Sequence, residues 1–318
     1  MTDRTRRWTA LAAGALAAAV LHGGFATTAQ ADPPPATPYP VPDHFLLDAI
    51  GGALQGGAAS PPGTNDWSCH PSPRHPEPVI LVHGLLANRN DNWQTYGPLL
   101  ANNGYCVYAL TYGAPGGDPM GLLGGLTSME SSSRTLDGFV DRVRQATGAT
   151  KVDLVGHSEG ATMPYWYVKV GHGSDKVAKM IGLAPLVHGS GGSALADTGS
   201  STGSADQPAP VEFLATSAFM RQLNDGGITV PGVAYTQIVT RYDEVVVPYT
   251  IGLVHEPNAT NFIVQDQCPQ DFADHLSINS DPVAARDVLN ALDPDNPMPV
   301  ECTLVLPAIG VVSSGSGS

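Results

Sequence analysis

The feature that most constrains this chain is Val152-Asp153-Leu154-Val155-Gly156-His157-Ser158-Glu159-Gly160, a short apolar run leading through Gly-x-Ser-x-Gly into a helix-forming segment. A serine on a sharp strand-to-helix turn has little room around it, and glycines two positions to either side let its hydroxyl project above the sheet. Ser158 is therefore the candidate nucleophile, with a strand expected over residues 151–155 and a helix over 161–170. Pro164 suits that helix only if it falls near the first turn. A second match, Gly199-Ser200-Ser201-Thr202-Gly203, follows no apolar strand and sits among small polar residues, so it reads as a flexible loop.

The N-terminus carries Arg4, Arg6 and Arg7, an apolar run over residues 8–21, and Ala29-Gln30-Ala31. That pattern is expected of a secretory signal peptide over residues 1–31, too short to serve as a membrane span. A Pro/Gly-rich N-terminal arm is expected over 32–64, one catalytic domain over 65–310, and a flexible Ser/Gly tail over 311–318. The formal charge of −14 repels phosphate backbones and disfavours nucleic-acid binding. Four cysteines in an exported chain favour two disulfides with three connectivities open. Cys69–Cys106 and Cys268–Cys302 are favoured because each pair brackets one piece of the expected fold. No Cys-x-x-Cys pair is present, which argues against a thiolate metal site.

Apolar β-rich runs alternate with helical ones, the pattern of an α/β chain with a mostly parallel central sheet flanked by helices. Strands are expected at residues 79–82, 106–111, 177–183, 235–240 and 261–264, and helices at 92–103, 128–147 and 282–292, the last with Asp281 as N-cap. Residues 112–126 and 188–210 fit neither period and read as loops over a cleft. The first, with Met120, Leu122, Leu123 and Leu126 among glycines, suits an apolar, movable cover.

A serine hydroxyl is a weak nucleophile until a histidine takes its proton, and that histidine needs a carboxylate to orient it. One recurring chain order is serine, acid, histidine, with the latter two on loops after successive strands. The expected strand at 235–240 leads into Asp243, and the one at 261–264 into a loop with His275. Glu244, Asp266 and Asp274 are rival acids; His172, His188 and His255 are rival bases, and His255 precedes the last strand rather than following it. His157 reads as a hydrogen-bonding residue of the turn. Charge built on a carbonyl oxygen needs donors already in place, and His83-Gly84-Leu85 after the first strand supplies a tight turn. The backbone N–H groups of Leu85 and Glu159 are the expected oxyanion donors. Asp266, Asp271 and Asp274 are dense enough to raise a calcium site, but no loop motif accompanies them and they read as solvated surface acids.

Asn65-Asp66-Trp67-Ser68-Cys69, residues 78–84, Asn92-Trp93, Gly104-Tyr105-Cys106, residues 152–160, residues 242–248 and Asp274-His275-Leu276 together resemble the secreted actinobacterial lipases and esterases of the α/β-hydrolase fold, of the class 2 lipase type. The resemblance runs from about Asn65 to Cys302. It implies ester hydrolysis by Ser158, His275 and Asp243, and the two disulfides Cys69–Cys106 and Cys268–Cys302. The implied partner is an ester or lipid substrate, met with at most transient contact with a lipid interface, by a monomer without a membrane span. No organic cofactor and no metal are expected. A polyester depolymerase or an acyltransferase would use the same triad. A non-catalytic binding protein of this fold is disfavoured because every triad member and the oxyanion turn occur in order.

Overall fold

The computed structural model describes residues 37–114, 116, 121–191 and 208–312. The expected signal peptide, the second Gly-x-Ser-x-Gly and the tail from 313 lie outside them. Among the described residues, six parallel strands form the sheet β2-β1-β3-β4-β5-β6. They are β1 (Val79–Val82), β2 (Val107–Leu110), β3 (Val152–His157), β4 (Val177–Leu183), β5 (Ala234–Val239) and β6 (Ala259–Ile263). A small antiparallel pair, β7 (Val305–Leu306) and β8 (Gly310–Val311), stands apart.

Parallel strands joined by helical crossovers are covered on both faces, so their residues are apolar on both sides. β1 shows this directly. Ile80 and Val82 belong to the core under α3 (Met129–Thr147) and α4 (Glu159–Lys169), whereas Val79 and Leu81 belong to the core under α2 (Tyr96–Asn102) and α8 (Pro282–Leu292). α3 begins at the Ser128 cap, whose hydroxyl accepts from the Ser131 N–H, and stops at Gly148 in the left-handed region. α8 begins where Asp281 accepts from the Val283 and Ala284 N–H groups.

Three local readings differ. The helix expected from Asn92 starts at Tyr96, because Asn88 Oδ1 accepts from the Asn90 and Asp91 N–H groups and Asp91 accepts from Asn88 N–H. These side-chain bonds give the backbone an alternative to helix. α4 starts at Glu159, so Pro164 lies inside it rather than near its first turn. Finally, the stretch read as an arm contains α1 (Phe45–Gln55).

β1 pairs with both β2 and β3, so strand order reverses there. In open parallel sheets ligands bind at the carboxyl ends of the strands flanking such a switch. Here those ends carry His83 and Ser158. Two disulfides brace the frame: Cys69–Cys106 joins the segment before β1 to the start of β2, and Cys268–Cys302 encloses His275 and α8.

Buried carboxyls make stability pH-dependent. Burial raises Asp91 and Asp287 to about 6; burial also raises Asp271, and burial together with the neighbouring Asp271 carboxyl raises Asp281 most strongly. A carboxyl whose folded pKa is raised contributes stability that is full below its unfolded value and lost as pH rises through the folded one. Asp287→Asn cannot ionise. Its stability relative to the parent is expected to improve by about 2 kcal/mol between about pH 4 and pH 7, read from urea unfolding curves.

Candidate active site

Ser158 sits at the β3–α4 turn with φ 54° and ψ −115°, a conformation that a non-glycine residue holds only when its surroundings enforce it. Its N–H donates to Leu183 O at 2.9 Å, anchoring the turn to β4. The flanking glycines have a specific task. A Cβ on Gly156 would lie 1.9 Å from Gly160 O, and one on Gly160 would lie 2.0 Å from Val82 O. Both glycines therefore let α4 cross close to β3 and β1, and the Gly160 carbonyl, which Pro164 cannot serve with an N–H, lies against Gly156.

His275 Nε2 is 2.9 Å from Ser158 Oγ, and His275 Nδ1 is 2.9 Å from Asp243 Oδ2. With Nδ1–H donating to the carboxylate, Nε2 is left to accept from the serine hydroxyl. The other Asp243 oxygen accepts from the Val245 and Val246 N–H groups at 2.9 and 2.6 Å. All three side chains are buried. Of the rival acids, Glu244 accepts from the His275 backbone N–H at 3.1 Å, Asp274 holds the Ser277 N–H and hydroxyl, and Asp266 pairs with Arg241. Asp271 and Asp274 are buried, contrary to their reading as solvated acids; only Asp266 fits it. Among the described residues no group of three His, Cys, Asp or Glu side chains is arranged to hold a metal ion.

The turn after β1 is held by a network that sequence reasoning missed. The His83 Nδ1–H donates to Gly84 O at 2.8 Å, and His83 Nε2 accepts from Tyr112 N–H at 3.2 Å. Burial pushes His83 down to about 4, which keeps the ring neutral, as the accepting Nε2 requires. Gly84 N–H donates to Asn92 Oδ1 at 3.1 Å. His157 links Asn92 to His275, its Nδ1 3.3 Å from Asn92 Oδ1 and its Nε2–H donating to His275 O at 2.9 Å; burial depresses its pKa strongly. Gln265 ties the acid loop to the histidine loop, bonding Arg241 N–H, Thr240 Oγ1 and Asp271 O. The Glu159 carboxyl is fully buried, and burial, then the nearby Glu212, push its pKa well up. Histidine and glutamine carry no periodic signal, so only the Asn92-Trp93 and His83-Gly84 motifs pointed toward this network.

A cavity of about 410 Å³ opens at Ser158 and His275. Leu85 lies on its wall, and Glu159 opens α4, so its N–H belongs to the helix start, which leaves such groups without intrahelical partners. The described part of residues 112–126 does not cover this cavity. Instead it runs behind the turn, with Leu86 N–H donating to Gly124 O and Gly124 N–H to Ala87 O. α1 also lines the cavity, through Phe45, Ala49, Ile50 and Ala53. Of the second expected cover, residues 192–207 lie outside the described chain.

Residues 76–286 match the sequence model of the class 2 lipases. The chain belongs to the class 2 lipase family. Within the family assignment, a stretch of 91 residues is 37% identical to a triacylglycerol lipase of Pseudarthrobacter phenanthrenivorans, covering 26% of this chain and 25% of that one. Among solved structures, Aspergillus fumigatus lipase B matches with a TM-score of 0.59 at 18% identity, over 76% of this chain and 57% of that one. Bacillus licheniformis lipase BlEst2 in its propeptide form matches with a TM-score of 0.50 at 19% identity, over 74% of this chain and 54% of that one. At these identities the structural likeness establishes the α/β-hydrolase fold.

Proposed function

We propose that this class 2 lipase family member is a secreted serine carboxylic-ester hydrolase that cleaves acyl esters, triacylglycerols or shorter-chain esters, through an acyl-enzyme. The observation that carries this reading is the hydrogen-bond chain from Asp243 through His275 to Ser158, ending at an apolar cavity beside the turn after β1. Ser158 Oγ attacks the ester carbonyl carbon while His275 Nε2 takes its proton, and Asp243 stabilises the imidazolium. The oxyanion meets the Leu85 and Glu159 N–H groups. Collapse expels the alcohol, protonated by His275, and the same base then activates water to release the acid.

The raised pKa of Glu159 supports this chemistry. A carboxyl kept neutral next to an oxyanion donor leaves the field of that donor unopposed; ionised, it would repel the developing charge. Two disulfides suit an oxidising, extracellular setting. No helix among the described residues is long and apolar enough to cross a membrane.

The test is a panel of nitrophenyl esters and an emulsified triglyceride, combined with a serine-directed phosphonate. Release of acid and alcohol in equal amounts, and one phosphonate on the peptide containing Ser158, are expected. Acyl transfer to added alcohol in preference to water would replace hydrolase by acyltransferase. Absence of both turnover and labelling would refute the proposal.

A further inference from the structure

We infer that α1 is the acyl-chain wall of the cavity and that Ala49 and Ala53 set the length of chain it accepts, making esters of medium-length unbranched acids the preferred substrate class. This rests on the ester-hydrolase reading above. α1 precedes residues 76–286, the region shared with the family model, so this wall is a feature of the chain outside that region.

Phe45, Ala49 and Ala53 are spaced four apart and fall in one stripe, about 12 Å long at the rise of an α-helix. All three line the cavity, together with Leu85, Leu86, Ala87 and Leu276. Methyl side chains at 49 and 53 leave cavity space that larger ones would fill, and Phe45 adds an aromatic surface to the same lining. The polar lining beyond Ser158 and His275 is confined to His157, Asn92 and Asp91, with no lysine or arginine. Such a lining accepts a neutral alkyl chain and repels an anionic one. The acyl group is the part of the substrate that stays covalently attached while alcohol leaves and water enters. A fixed apolar wall therefore suits the acyl group, and the open side of the cavity suits the exchanging groups.

The wall is seated at a fixed depth. Gly52 packs against the Asn90 backbone, where an added Cβ would lie 2.8 Å from the carbonyl oxygen. Asn90 Nδ2 donates to Gly52 O at 2.8 Å. At the start of the helix, Asp48 accepts from His44 N–H and Asp43 O accepts from Val311 N–H. A side chain enlarged on the inner stripe thus takes volume from the cavity rather than displacing the helix.

The experiment compares kcat/KM for nitrophenyl acetate, butyrate, octanoate and palmitate in the parent, Ala49→Phe, Ala53→Leu and Leu47→Ser, with Ser158→Ala as blank. Leu47 is on α1 but 71% exposed and outside the cavity lining. The parent is expected to favour octanoate over both acetate and palmitate. Ala49→Phe is expected to lower the octanoate-to-acetate ratio at least about tenfold, the scale on which pocket volume discriminates alkyl groups, with Ala53→Leu changing it in the same direction. Leu47→Ser should keep the parental ratio. An unchanged ratio in both alanine variants overturns the inference and leaves the hydrolase reading standing. So does an equal change in Leu47→Ser, or a change confined to the size of the leaving alcohol in a series of octanoate esters. A parent that hydrolyses none of the esters removes both.

Discussion

Ser158→Ala is expected to lose about 10⁶ in kcat on nitrophenyl esters, the scale found when the nucleophile is removed from other serine hydrolases. The size follows from the geometry. Ser158 Oγ is the atom 2.9 Å from His275 Nε2, and alanine leaves the base facing only the cavity. Asp243→Asn should cost less, about 10⁴, because it leaves the nucleophile in place while favouring the wrong tautomer of His275. The double variant should be no worse than Ser158→Ala alone, since the two residues act as a unit. Stopped-flow kinetics are decisive: the parent should show a burst of nitrophenol from the acyl-enzyme, and Ser158→Ala none. If Glu244→Gln costs more than Asp243→Asn, the acid has been misassigned, because Glu244 reaches only the His275 backbone N–H.

Gly160→Ala is expected to be strongly destabilising, at about 3 kcal/mol or more, lowering Tm by about 6–12 °C. The added Cβ would meet Val82 O at 2.0 Å and His83 O at 2.3 Å. Both are backbone atoms at the end of β1, so relief requires moving the turn at Gly84 and Leu85 itself. Activity should fall with stability. Gly138→Ala, in the exposed part of α3 with nothing within 4 Å of the new methyl, should instead be neutral or stabilising by up to about 1 kcal/mol. Thermal melts of the two variants separate a glycine required by close approach from one that is merely tolerated.

The fold class was legible because its determinants are local. Apolar runs at β1 and β4, the Ser128 and Asp281 caps and the Gly148 stop act within a few residues of themselves, and the α/β-hydrolase architecture follows from their order. The same order singles out Ser158, Asp243 and His275 as strand-end residues, and in the structure their side chains lie within hydrogen-bond reach. Long-range partnerships were not legible. His83 with Tyr112, Asn92 with Gly84, and Gln265 with the acid and histidine loops join residues whose local patterns give no sign of a mate.

α1 marks the boundary between the two kinds of information. Its residues are apolar nearly all round, with Leu46, Leu47, Ile50 and Leu54 exposed, and flanking glycines and prolines disguised it as an arm. Hydrophobic order along the chain by itself determined the sheet, its covering helices and the strand-end positions of Ser158, Asp243 and His275. Which helix walls the cavity, and why Gly156 and Gly160 must lack a side chain, only the tertiary structure decided, because both depend on distances between segments far apart in sequence.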